Sequence, residues 1–182
     1  MRNTKKLVES AVMICLATVL SLVTVLKMPL GGSVTLLSML PICIVSIKYG
    51  VKHGIFTAFI YSLLQLVLDI GTLMSWGLTV YTWVGSILFD YIFAFTLVGI
   101  AGIFGKKKFI HIISGISLAI ILRFISHIIS GTIFFSALTP EGWNCFIYSI
   151  CYNGAYMLPE IVFTIIGSAL IYKIKQFSRF LD

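Results

Sequence analysis

Asp90, Arg123, His127, Asn153 and Glu160 lie inside stretches that are otherwise apolar, and Tyr91, Tyr148, Tyr152 and Tyr156 stand close to them in sequence. A carboxylate at the centre of a membrane helix costs about 2.5–3.5 kcal/mol even on the lenient insertion scale, so it comes with a partner, a cavity or a cationic ligand. The residue types suggest the chemistry. A buried carboxylate selects a cation or accepts hydrogen bonds from an amino group; aromatic rings stack on a flat ring and hold positive charge by cation–π attraction; Asn, Tyr and His fix ring edges. The implied ligand is small, planar, and cationic or amine-bearing.

Each residue also has a plain structural role open to it. Arg123 and His127 are four apart and share a helix face, so Arg123 could neutralise Asp90 in an ion pair, and His127 could be an interhelical hydrogen-bonding residue. Tyr148 could anchor the membrane interface, and Asn153 could hold helices together. Glu160 follows Pro159 and is expected to serve the backbone there or an interhelical bond rather than a ligand. No Ser-His or Cys-His nucleophile arrangement, H-E-x-x-H motif or phosphate loop occurs, so no catalytic residue, metal or cofactor is expected. The enzyme alternative is an intramembrane hydrolase using Glu160 with His127, which lacks the paired glutamates or metal-binding histidines of such enzymes. Cys15, Cys43, Cys145 and Cys151 show no metal spacing and lie in or beside apolar runs, where cysteine packs as a small hydrophobe.

Positioning these groups requires a membrane. With 182 residues, 59% hydrophobic, 10% charged and a mean hydropathy of +1.09, the chain reads as an all-α polytopic membrane protein, a single domain over 1–182. Helices are expected at Leu7–Leu26, Val34–Ile47, His53–Ile70, Thr79–Gly105, Phe109–Phe135 and Cys145–Tyr172, six transmembrane helices separated by Gly and Pro breaks. The apolar runs are continuous rather than alternating, which excludes a barrel. The basic start and apolar first run lack a cleavage site, so the first helix is expected to be retained.

Charge placement orients the bundle. Arg2, Lys5 and Lys6, then Lys48 and Lys52, then Lys106–Lys108, and finally Lys173, Lys175 and Arg179 fall at alternate connections, whereas the others carry only Lys27. The positive-inside rule places both termini in the cytoplasm, so the net charge of +7 reports topology and contact with anionic lipid, not nucleic-acid binding. In this topology Asp90, Arg123 and Glu160 sit near mid-membrane. His127 lies about 6 Å further out than Arg123 at 1.5 Å per residue, with Tyr148 and Asn153 in the outer half. A carrier capturing a solute from outside would keep its site there.

These stretches also resemble a known family. PLGGSVTLLSMLPI at Pro29–Ile42, LFDYIFAF at Leu88–Phe95, RFISHIISGTIFF at Arg123–Phe135 and YSICYNGAYMLPE at Tyr148–Glu160 are similar to the thiamine-specific substrate-binding (S) components of energy-coupling factor (ECF) transporters, the ThiT/YuaJ family of vitamin carriers of Gram-positive bacteria. The resemblance covers essentially the whole chain and implies an S-component fold in the plasma membrane with high-affinity thiamine binding. It implies that Asp90 pairs with the aminopyrimidine with Tyr91 beside it, that His127 lies against the thiazolium end, that Tyr148 and Asn153 hydrogen-bond the pyrimidine, and that Arg123 supports the acidic group or the ring. Some members carry Glu where Asp90 stands. A Trp at the fifth-helix end is Phe135 here, another near the end of the first loop corresponds roughly to Gly32, and Tyr61 stands where relatives have a further Trp, so less stacking surface is expected.

The resemblance further implies partners: a transmembrane T component and two cytoplasmic ATPases, docked through small residues of the first helix, here Ala11 and Cys15. Their i,i+4 spacing permits close helix approach, and equally permits packing within the bundle. No Walker motif is present, so ATP hydrolysis is expected in separate subunits. Pro29–Thr35 is expected to form a lid. An S component for another ring vitamin or precursor such as hydroxymethylpyrimidine is the neighbouring alternative.

Overall fold

The computed structural model describes residues 2–29 and 31–181. Leu30, inside the expected lid, lies outside that range, as do the side chains of Arg2, Lys175 and Arg179 among the charges used for orientation. Six helices form the bundle: α1 (Arg2–Leu22), α2 (Leu40–Tyr49), α3 (Val51–Ser75), α4 (Val80–Ile100), α5 (Phe109–Ile133) and α6 (Cys145–Tyr172), followed by a short α7 (Lys175–Leu181). Four of them, α3 to α6, are long and apolar enough to cross a membrane. With only 10 residues, α2 is about 15 Å long at 1.5 Å per residue, half the hydrocarbon thickness.

Several element boundaries differ from the expected ones, and the second helix begins at Leu40 rather than Val34, because Ser33–Thr35 is drawn into a strand. The first helix stops at Leu22, and its apolar continuation forms strand β1 (Thr24–Lys27), which pairs antiparallel with β2 (Ser33–Thr35) in a hairpin. The all-α expectation is corrected by that much. Thr, Val and Leu at 24–26 satisfy a strand as well as a helix, and Pro29 with Gly31 at φ +87° turns the chain back. The third helix runs on to Ser75 rather than Ile70, which brings Asp69, Thr72 and Trp76 onto its cavity face or C-cap. The fourth changes register: residues Ile87–Phe93 form a π segment.

Small residues set the packing distances. A Cβ on Gly54 would sit 2.5 Å from the Gly99 carbonyl oxygen, and Ser46 Oγ bridges α2 and α4 by donating to that carbonyl at 2.5 Å and accepting from Gly102 N at 2.9 Å. At the same end Lys48 is buried: its Nζ lies 2.7 Å from Glu9 and 3.4 Å from the centre of the Phe180 ring, fastening α1, α2 and α7 together. Lys48, one of the charges used for orientation, is thus neutralised inside the fold.

Candidate functional site

The π segment turns Asp90 into the bundle, where three donors meet its carboxylate. Ser86, one turn earlier, donates to Oδ2 at 3.0 Å; Ser130 of α5 donates to the same oxygen at 2.6 Å; His127 Nδ1 lies 2.9 Å from Oδ1. Ser126 of α5 donates at 2.6 Å to the Phe89 carbonyl, giving a π-segment carbonyl a partner on the neighbouring helix. A π segment of this kind is a frequent mark of a functional site. The α5 side of the contact follows from helical spacing: Gly115, Ala119, Arg123, Ser126, His127 and Ser130 are all buried on one face, small and apolar at one end and polar at the other.

His127 is the hydrogen-bond partner of Asp90, and Arg123 is not. The Arg123 guanidinium stacks 4.3 Å above the centre of the Phe95 ring and donates to Met39 Sδ at 2.9 Å. Arg123 therefore meets α4 and the start of α2, one helical turn from the carboxylate. With the Asp90 oxygens accepting from Ser86, Ser130 and His127 Nδ1, the other imidazole nitrogen keeps its lone pair. That atom, His127 Nε2, and Arg123 Nε are buried without a hydrogen-bond partner among the described residues. Buried polar atoms of this kind are costly unless something pairs with them.

A cavity of about 400 Å³ opens beside these groups. Asp90, Tyr91, Arg123, His127, Phe135, Tyr148 and Asn153 all line it, so seven of the expected binding residues share one space; Tyr61 does not line it, being fully buried and edge-on to Phe95 at 5.5 Å. Asn153 is engaged within the site: Nδ2 donates to the Ser149 carbonyl at 2.9 Å and to the His127 carbonyl at 3.4 Å, and Oδ1 accepts from Tyr156 at 2.6 Å. Its oxygen retains one acceptor position. Ala11 and Cys15 lie on the exposed side of α1, away from the cavity lining.

Glu160 anchors the β1–β2 hairpin rather than pairing with His127. It is buried, and its two oxygens take Thr35 N and Thr35 Oγ, each at 2.8 Å, tying β2 to α6 across the bundle. The following turn is strained. Leu37 has φ +61°, uncommon for a residue with a Cβ, and its side chain fits against Gly167, where a Cβ would come within 2.6 Å of it.

Two aromatic residues supply further stacking surface, Tyr156, which stands among the tyrosines named from the sequence, and Trp76, which the residue pattern did not reveal. Trp76 lines the cavity, meets Phe135 edge-on at 6.5 Å between ring centres, and covers Gly31, where a Cβ would lie 2.6 Å from its ring. Tyr156 lies under Gly32, where a Cβ would approach its ring to 2.5 Å. The rings come from α6 and the end of α3, so the hairpin itself contributes glycine. The signal for Trp76 was its position fifteen residues, four helical turns, after Tyr61; it was obscured by ending the helix at Ile70.

The family model for "Thiamine transporter protein (Thia_YuaJ)" matches residues 7–179. The thiamine transporter ThiT of Bacillus subtilis (strain 168) is 33% identical over 181 aligned residues, covering 92% of this chain and 90% of the relative. The thiamine transporter ThiT of Lacticaseibacillus paracasei is 30% identical over 141, covering 70% and 67%. The solved structure of ThiT from Listeria monocytogenes shares the fold with a TM-score of 0.75, over 97% of this chain and 98% of that one, at 22% identity.

Proposed function

The chain belongs to the thiamine transporter family, and from that premise we propose that it is the thiamine-binding S component of an ECF transporter. It is a transport protein and not an enzyme. In the proposed arrangement six helices lie in the plasma membrane of a Gram-positive bacterium with both termini inside, α2 reaching only about half way across, and the cavity opens outward beneath the β1–β2 hairpin. Alternation of basic connections supports that orientation. A T component and two ATPases supply the energy, and the exposed Ala11 and Cys15 offer a face for docking.

The observation that carries the reading is the Asp90 carboxylate held by Ser86, His127 and Ser130 at the wall of an aromatic cavity. Three donors fix its direction before a ligand arrives, so little ordering is left to oppose binding. The aminopyrimidine donates its amino hydrogens to Asp90; the free His127 Nε2 and the Asn153 oxygen accept from, and Tyr148 donates to, the remaining ring edges and side groups. Trp76, Phe135 and Tyr156 provide faces for the two flat rings. Calorimetric titration of the purified, folded protein with thiamine tests this directly. Saturable binding at one site supports it, and a folded protein giving no heat with thiamine overturns it.

A further inference from the structure

The cavity has a second carboxylate that the Asp90 cluster does not use. On α3 the residues lining the cavity are Gln65, Leu68, Asp69, Thr72 and the C-cap Trp76, whose spacings of three, one, three and four place them on one helix face. Among the described residues Asp69 has one hydrogen bond, a long one of 3.4 Å from the Tyr91 hydroxyl. Asp90, by contrast, has three donors on its two oxygens. Around Asp69 the same wall presents rings: Tyr91, and Trp76 with Phe135 edge-on to it. An exposed carboxylate at the cavity mouth, beside aromatic faces and with no short hydrogen bond of its own, suits a cation that cannot donate hydrogen bonds, since such a charge is satisfied only by a nearby anion and by ring quadrupoles. Lys27 lines the same mouth from β1, so Asp69 also offsets a cation that would repel such a ligand.

We infer that Asp69, with Trp76 and Tyr91, forms a separate subsite that selects the quaternary nitrogen of the ligand, while Asp90 reads its amine. The inference rests on the thiamine reading, in which the thiazolium is the quaternary group and the aminopyrimidine the neutral one. The two carboxylates then divide the vitamin between them, and Asp69 decides whether the whole molecule is preferred to its uncharged half.

The test is titration of the full-length protein in detergent with thiamine and with the neutral 4-amino-5-hydroxymethyl-2-methylpyrimidine, for wild type, Asp69→Asn and Asp69→Glu. Removing a charge a few ångströms from the quaternary nitrogen lowers thiamine affinity by about tenfold to a hundredfold. Affinity for the neutral half stays within a factor of about three, and Asp69→Glu keeps most of the preference for thiamine. Equal losses for both ligands would mean that Asp69 acts through the fold, and an unchanged thiamine affinity would mean that it selects nothing; either result overturns the inference while leaving the family's substrate in place. A wild-type protein that binds the pyrimidine but not thiamine would instead remove the thiamine reading and this subsite with it.

Discussion

At the scale of single residues, Asp90 illustrates how a costly group is satisfied inside the bundle. Its carboxylate accepts from two serines and a histidine, and hydrogen bonds to a charged group contribute about 1.5–3 kcal/mol each. Asp90→Asn turns one acceptor oxygen into a donor facing other donors and removes the charge that attracts the amine. Thiamine affinity should fall by about a hundredfold or more, read by calorimetry; unchanged affinity would make Asp90 a purely structural residue. Charge alone pointed to Arg123 as its partner, and the sequence offered no way to see otherwise. Arg123 is met first by Phe95 and Met39, whereas His127, one turn further along α5, is level with the carboxylate. Glu160 makes the complementary case. Glu160→Leu leaves the buried Thr35 N–H without its acceptor and Thr35 Oγ with Ser38 alone, at about 1–3 kcal/mol for the orphaned N–H. Melting of the purified protein should shift down by several degrees, and thiamine should rescue less of that loss than it does in wild type, because β2 no longer has its anchor on α6.

Among the elements, the long helices were legible because their apolar runs continue for a full membrane thickness, and the site stripe of α5 was legible because Arg123 and His127 share a face. The hairpin was not, since Thr24, Val25 and Leu26 extend the apolar run of α1 without a break, and only pairing with Ser33–Thr35 distinguishes strand from helix. Nor was the π segment, which depends on α5 offering Ser126 to the Phe89 carbonyl and on the donors gathered at Asp90. Neither leaves a periodic trace in its own residues. The lid depends on a missing side chain: Gly32 sits directly on the Tyr156 ring. Gly32→Leu must move either the hairpin or that ring, and Tyr156 is held by Asn153 through a 2.6 Å hydrogen bond. The hairpin should give way first. Thiamine release measured by stopped-flow fluorescence should become faster by about tenfold, a cost near 1.4 kcal/mol, with the association rate changed much less. An unaltered release rate would show that the hairpin does not close over the ligand.

For the whole molecule, the arrangement separates capture from energy use. Seven of the residues expected to bind line one cavity between α3, α4, α5, α6 and the hairpin, while Ala11 and Cys15 are exposed on α1. At the end of the bundle where α1 begins, α1, α2 and α7 are locked by the Glu9–Lys48 pair and the Phe180 ring, and α2, α3 and α4 by the close Gly54–Gly99 approach. Such a body is suited to move as a unit against a partner. In lipid, two helices gain little from apolar burial and associate through close packing, so the size of the residues at the contact decides whether they meet. A large ring at position 11 or 15 should therefore hold a partner helix away without reaching the cavity. Ala11→Trp and Cys15→Trp are expected to leave thiamine titration of the purified protein within a factor of about two, yet to reduce thiamine uptake in cells carrying the coupling subunits to near background. Full uptake by both variants would place the docking face elsewhere on the bundle. Uptake in cells that lack any T component and ATPase would go further, because a carrier with no nucleotide-binding motif of its own would then be drawing on the thiamine gradient alone.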